Sequence, residues 1–163
     1  MAPPKSLPRK WHWHWNHPWT KKAAKAWGFR RWLRRHGRLS PNFTLQEASG
    51  ARRHPLGTKV PWGLRRRAQS HAFQLERLRH ALGDRSIKIG SWYRNPAHNK
   101  AVGGARFSRH MRADATDIFK DTVDGFGAAN FDRIAESVFA QGGFGTYPSG
   151  SRHVDTRGLR ARW

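Results

Sequence analysis

Between residues 62 and 82, Leu64, Ala68, Ala72, Leu75, Leu78 and Leu82 recur three or four positions apart. That spacing lines one face of a helix, and Gly83 supplies its stop. The period then shortens. Residues 86–93 (SIKIGSWY) place Ile87 and Ile89 on one face of a predicted strand, which Asn95-Pro96 breaks. Gly103-Gly104 marks a loop. A second strand is expected over residues 113–119, with Ala115, Asp117 and Phe119 on one face and Asp114, Thr116 and Ile118 on the other. Phe126, Ala129, Ile134, Val138 and Phe139 suggest a helix over residues 125–140. Gly142-Gly143 then turns the chain into residues 144–147, and residues 152–156 read as a last short strand. Nearer the start, Thr44 with Glu47 three positions on has the form of a capping box, so a helix begins there. The sum is a small α+β domain spanning residues 39–163.

Before residue 39 this patterning is absent. Residues 2–18 hold Pro3, Pro4, Pro8 and Pro18 around WHWHWNH, which favours extended chain. Residues 20–38 are compatible with a helix stopped by Gly37, but their apolar and basic positions scatter around the wheel, so no membrane-surface stripe forms. Charge separates the two parts. Residues 1–46 contain eleven Lys/Arg, six of the nine Trp and no acid, whereas the rest sets 21 Lys/Arg against all ten acids. Residues 1–38 are therefore read as an extended basic, Trp- and His-rich arm. Three readings of it stand: a solvated or partner-docked segment, a polyanion-binding arm with Trp as stacking anchors, and a weak metal tract of His12, His14 and His17, of which extended chain puts His12 and His14 on one face.

The formal charge of +22 in 163 residues predicts attraction to nucleic acid, an anionic cell wall or a membrane surface. The absence of cysteine excludes disulfides and thiolate metal sites. No apolar run reaches the ~20 residues of a membrane span, and the N-terminus lacks the apolar core of a secretory signal. A soluble protein without a transmembrane segment or a signal peptide of its own is expected.

Chemistry concentrates in the second half. His110 leaves the Gly-rich loop, Asp117 lies on the second strand, and His153 and Asp155 share a face of the last one. Two His and one Asp give zinc three ligands and leave a position for water, the layout of a catalytic site. Arg94 is placed to stabilise an oxyanion. By spacing alone, a surface histidine and a turn aspartate explain the same residues.

Three segments in order resemble one family. LSPNFTLQEAS resembles its opening segment. SWYRNPAHNKAVGGARFSRHMRADATDIF resembles its SGYRSPxxN…SxHxxGxAxD block, and GFGTYPSGSRHVDTRG its closing strand with HxD. The family is that of the zinc D-Ala-D-Ala carboxypeptidases and L-alanyl-D-glutamate endopeptidases, VanY-like enzymes with the hedgehog/DD-peptidase fold. It also contains murein endopeptidases and phage enzymes. The resemblance implies a mainly antiparallel sheet flanked by helices. It implies zinc held by His110, Asp117 and His153, with Arg94 binding substrate or stabilising the transition state. Ser108 would support the site, and Tyr93 and Tyr147 would contact substrate.

Three positions depart from the family pattern. Trp92 and Ala113 stand where the motif has glycine, and both are expected to reshape the pocket. Gly150 stands where many members carry a general base three residues before the second His. Asp155 is left either to orient a ligand or to act as base. The expected function is a zinc peptidase of the peptidoglycan stem or cross-link. It would be a phage endolysin or virion-associated lysin, located in the virion or at the host wall and periplasm. Its arm would meet the wall or other virion proteins, with nucleic acid secondary. The alternative is a weakly active or inactive metal-binding structural protein of the virion or wall.

Overall fold

The computed structural model describes residues 31, 33–50 and 54–163. The extended chain and His12–His14 pair expected in the arm lie outside these residues. The described part begins at the end of a helix that residues 33–35 close. Gly37 takes φ +67°, and the Arg38 and Gly37 amides donate to the carbonyls of Leu33 and Arg34 at 2.8 and 3.3 Å. This is a Schellman closure, and it confirms Gly37 as the stop. Leu33 is fully buried, and Arg34 Nη1 donates to Gln69 Oε1 at 2.5 Å. The packed unit therefore takes in residues before the expected boundary at 38.

Helix α1 is Leu45–Ala48, opened by the capping box that Thr44 and Glu47 predict. The segment before it is pinned by Glu76, which is buried and accepts from Ser40 Oγ, the Asn42 amide and Asn42 Nδ2 at 2.7, 2.7 and 2.8 Å. A buried carboxylate needs several donors; here the loop supplies three, and Arg79 Nε one turn along the helix adds a fourth at 3.2 Å. Helix α2, Arg65–Ala81, follows a 3-10 turn at Trp62–Leu64. Its Ala68, Ala72, Leu75 and Leu78 are buried, as their spacing requires.

Strand β1 is Ile89–Ser91, shorter than expected. Asn95-Pro96 does more than break it. Asn95 caps helix α3, Pro96–Ala101, accepting from the His98 amide at 2.8 Å, with proline at the first helical position. After a 3-10 turn at Arg109–Arg112 comes strand β2, Ala115–Ile118. The helix expected over residues 125–140 is two helices: α4, Lys120–Phe126, and α5, Ala128–Val138. Gly127 at φ +76° separates them, a conformation that favours glycine. Strands β3, Gly143–Thr146, and β4, Arg152–Asp155, follow, and a further strand, β5, Ala161–Arg162, was not foreseen.

The sheet order is β1-β2-β4-β3-β5, antiparallel except for the β3–β5 pair. The α+β, mainly antiparallel architecture is the expected one. One face carries the core, where Ile118, Val154 and Phe144 meet Leu75, Leu78, Phe131, Ala135 and Phe139. Phe119, expected to share the face of Asp117, is half exposed. Asp117 is therefore on the side facing away from the apolar interior. Two charged clamps tie the helices to the sheet: Arg152 to Asp132 at 2.7 Å and Arg162 to Glu136 at 3.1 Å.

Candidate metal centre

Sheet register assembles the site. In the antiparallel β2–β4 pair, Asp117 stands opposite His153 and Ala115 opposite Asp155. Directly opposed residues project from the same face, so a one-residue slip would separate the pair. His110 joins them from the 3-10 turn. Its Nε2 lies 3.1 Å from Asp117 Oδ1 and 3.3 Å from His153 Nδ1, and His153 Nδ1 lies 3.0 Å from the same Oδ1. All three ligand atoms fall within 4.8 Å of one another. Three residues that sequence spacing alone left ambiguous thus converge on one point.

Each ligand is held from behind. His110 Nδ1 donates to the Trp92 carbonyl at 2.6 Å, which leaves Nε2 as the free lone pair. The Arg94 amide also donates to the His110 carbonyl at 3.2 Å. His153 Nε2 faces Asp155 Oδ2 at 3.1 Å, which leaves Nδ1 for the centre. Asp117 Oδ2 accepts from Arg94 Nη2 at 2.5 Å, while Oδ1 faces both imidazoles. The donor set, two imidazoles with assigned tautomers and one carboxylate oxygen, fits a divalent transition metal.

The electrostatics follow from these contacts. Burial lowers the His110 pKa and keeps the ring neutral. Burial would also lower His153, but its bonds to Asp117 and Asp155 outweigh it and raise the pKa. Burial disfavours the Asp117 charge, yet the two imidazoles packed against it hold its carboxyl well below the usual range.

Several expected roles change. Asp155 is fully buried and accepts from the Gly143 amide at 3.0 Å and the Arg157 amide at 3.0 Å. The Arg157 guanidinium adds bonds at 2.9 and 2.5 Å. With its oxygens committed to these donors, Asp155 lies behind His153, Oδ2 against Nε2. Tyr93 belongs to the core at 6% exposure and does not line a substrate surface. Ser108 begins the 3-10 turn that carries His110, and its hydroxyl makes no capping bond there. Arg94 reaches Asp117 and Ser91 rather than standing free for an oxyanion. Tyr147 does reach the centre, its hydroxyl 3.4 Å from both Asp117 Oδ1 and His153 Nδ1. Burial and the Asp117 charge push its pKa up to about 12, so it stays a phenol.

The two glycine departures meet each other. The Trp92 indole is buried beside Phe43 and His71, and its Nε1 donates to the Ala113 carbonyl at 2.9 Å. Its bulk fills the core and not the site. Ala113 takes φ +58°, where a Cβ costs about 1–2 kcal/mol. A glycine suits that position, and the indole bond helps hold alanine there. Gly150 lies at φ +85°, and a Cβ on it would come 2.7 Å from the Lys120 side chain.

A family model described as Peptidase M15 matches residues 43–155. The chain belongs to the peptidase M15 family. This M15 chain is also 32% identical over 128 residues to the zinc D-Ala-D-Ala carboxypeptidase of Streptomyces albus G, a match covering 75% of the chain. It spans about half (48%) of that relative's length. The match to a zinc peptidase agrees with a possible metal site at His110, Asp117 and His153.

Sequence reasoning missed the parts that hold the ligands. Arg157 clamps Asp155, and Trp163 packs its ring 5.1 Å from that of His153. Gly143 and Gly145 make room for them: a Cβ would overlap the Asp155 carboxylate at the first and the Trp163 indole at the second. The glycine-rich run over residues 142–145 was the available signal.

Proposed function

We propose that this chain is a zinc-dependent peptidase that cleaves a peptide amide in the stem or cross-link of peptidoglycan. The convergence of His110 Nε2, Asp117 Oδ1 and His153 Nδ1 carries this reading. Three such ligands suit a catalytic ion with an open position. Zinc bound there would supply a water of lowered pKa and polarise the scissile carbonyl.

The chain's own residues do the rest. Trp92 and Asp155 fix which imidazole nitrogen each histidine presents. Arg94 holds Asp117 Oδ2 and keeps Oδ1 turned to the centre. Tyr147, still protonated at neutral pH, donates a hydrogen bond to the oxygen that gains charge as the carbonyl carbon becomes tetrahedral. The basic charge supports a wall-directed role: +22 overall favours retention on an anionic wall. We extend the reading to a phage lysin acting from the virion or at lysis. Residues 1–38 would be the wall or virion anchor and nucleic acid a secondary partner.

One observation favours a second reading. The left-handed Gly150, closed over by Lys120, leaves no acid at the position where the family resemblance implies a base. A weakly active or inactive metal-binding wall or virion protein would tolerate that. Digestion of purified peptidoglycan by the full zinc-loaded chain and by His110→Ala separates the two. New amino termini released only by the wild type are expected. No release from a wild type that carries about one zinc per chain would overturn the peptidase reading.

A further inference from the structure

The first turn of α2 carries charge where a helix least favours it. Arg65, Arg66 and Arg67 open the helix, with no acid in that turn and no side-chain cap. The positive end of the helix dipole disfavours cations there, and the three repel one another. Residues 31–38 and 59–67 each hold four Lys/Arg and no acid. Local rules broken in this way on a folded surface are expected where a partner binds.

The three side chains diverge. Arg65 lies over the Trp62 ring, its Cζ 4.9 Å from the centroid. Arg66 faces the segment before residue 38: burial lowers the Arg34 pKa, and the charges of Arg66 and Arg31 lower it further. Arg34 is held there by Gln69, one turn along α2 from Arg66, through the 2.5 Å bond from Nη1 to Oε1. Arg67, half exposed, reaches Asp114 at 3.3 Å, and Arg109 takes the same carboxylate, Nε to Oδ1 at 3.0 Å. Asp114 is buried beneath them and carries a single charge for two arginines. A band of guanidiniums therefore crosses the start of α2, from Arg31 and Arg34 through Arg66 and Arg67 to Arg109. Trp62 stands beside it, 76% exposed. Arg65 covers one face of the indole and leaves the other open to a flat ligand. Guanidiniums in series match successive phosphates, and an exposed indole offers a stacking surface that a nucleobase can use. A wall polymer of bare phosphodiesters would use the first and not the second.

We propose that this surface binds single-stranded nucleic acid, with Arg31, Arg34, Arg66 and Arg67 on phosphates and a base stacked on Trp62. The surface is independent of the metal centre and of peptidase activity. It lies on the packed domain, not on the Pro- and Trp-rich chain before residue 31.

Full-length protein is titrated into a fluorescein-labelled oligothymidylate over a salt series, with anisotropy as the readout. Wild type is expected to bind with an affinity that falls steeply with salt. Arg66→Gln is expected to weaken binding about fivefold and to lower the salt slope by about 0.7, the share of one phosphate contact on a single strand. Arg77→Gln removes the same charge from an exposed position about three turns along α2 and is expected to change neither. Trp62→Ala is expected to weaken binding about tenfold at an unchanged salt slope. Equal losses in Arg66→Gln and Arg77→Gln would mean that net charge alone attracts the strand, and would overturn the proposal. So would a wild type that does not bind. Poly(glycerol phosphate) bound as tightly as the oligonucleotide, with Trp62→Ala indifferent on both, would overturn the nucleic-acid assignment in favour of an anionic wall polymer. Trp62, Arg66 and Arg77 are all exposed, and thermal unfolding checks each variant. Should Trp62→Ala unfold, Trp62→Leu removes the stacking ring and keeps an apolar side chain.

Discussion

Replacing Asp155 with asparagine keeps the shape of a fully buried side chain and removes its charge. Two consequences follow from the contacts. The Arg157 guanidinium, about one-quarter exposed, loses its ionic partner at 2.5 Å. Breaking a buried pair costs about 3–5 kcal/mol, and partial exposure of the arginine places this case nearer about 2–3. For a domain of this size that is a fall in Tm of about 10 °C. The second consequence concerns His153. A carboxylate accepts the Nε2 hydrogen and keeps Nδ1 open; an amide that turns its NH₂ toward the ring favours the other tautomer. Loss of such a ligand-orienting partner weakens metal binding about 10–100-fold. Zinc affinity by competition with a chromophoric chelator, alongside thermal unfolding, measures both. Wild-type zinc affinity in a folded Asp155→Asn would refute the orienting role. Unchanged affinity with abolished turnover would restore Asp155 as a base.

Tyr147→Phe removes a donor near the centre but no ligand, so it is expected to slow amine release from peptidoglycan about a hundredfold at unchanged zinc affinity. A rise in KM alone, with kcat intact, would assign Tyr147 to binding only. His71 is fully buried, its Nε2 2.8 Å from Thr116 Oγ1, and burial lowers its pKa to about 3. Below pH ~6.5 the unfolded chain takes up a proton that the folded chain refuses, so stability falls as pH falls. Between pH 6 and 4 the wild type is expected to lose about 1.4 kcal/mol per pH unit more than His71→Gln, measured by urea unfolding. Parallel pH profiles would refute a neutral, buried His71.

The elements that were legible had local causes. The helix over residues 65–81 follows from its apolar spacing, the turn at Gly37 from a positive φ, and the start at Thr44 from two side chains three residues apart. The elements missed lacked such a signal. Helix α3 hid behind Asn95-Pro96, a pair that marks a break as readily as a cap and first turn. Strand β5 is two residues long and exists because β3 is beside it. Gly127 divided a pattern that periodicity alone would join.

The candidate centre divides the same way. His110, Asp117 and His153 were named from motif order, because ligand identity is written in residue type. Their partners were not, because a partner is defined by proximity and proximity comes from register. The β2–β4 pairing sets Asp117 opposite His153, and the Trp92 carbonyl and Asp155 select the nitrogen that each histidine presents. Trp92 shows the limit most plainly: by residue type it threatened the pocket, and by packing it became core and a brace for the His110 loop. Sequence by itself determined the donor chemistry, the family motif and the large positive charge, all properties of residues one at a time. Tertiary structure decided which oxygen and which nitrogen face the centre, and that Asp155 lies behind His153 with its oxygens bonded to Gly143 and Arg157. Those depend on directional contacts between distant segments, and no linear pattern encodes a direction.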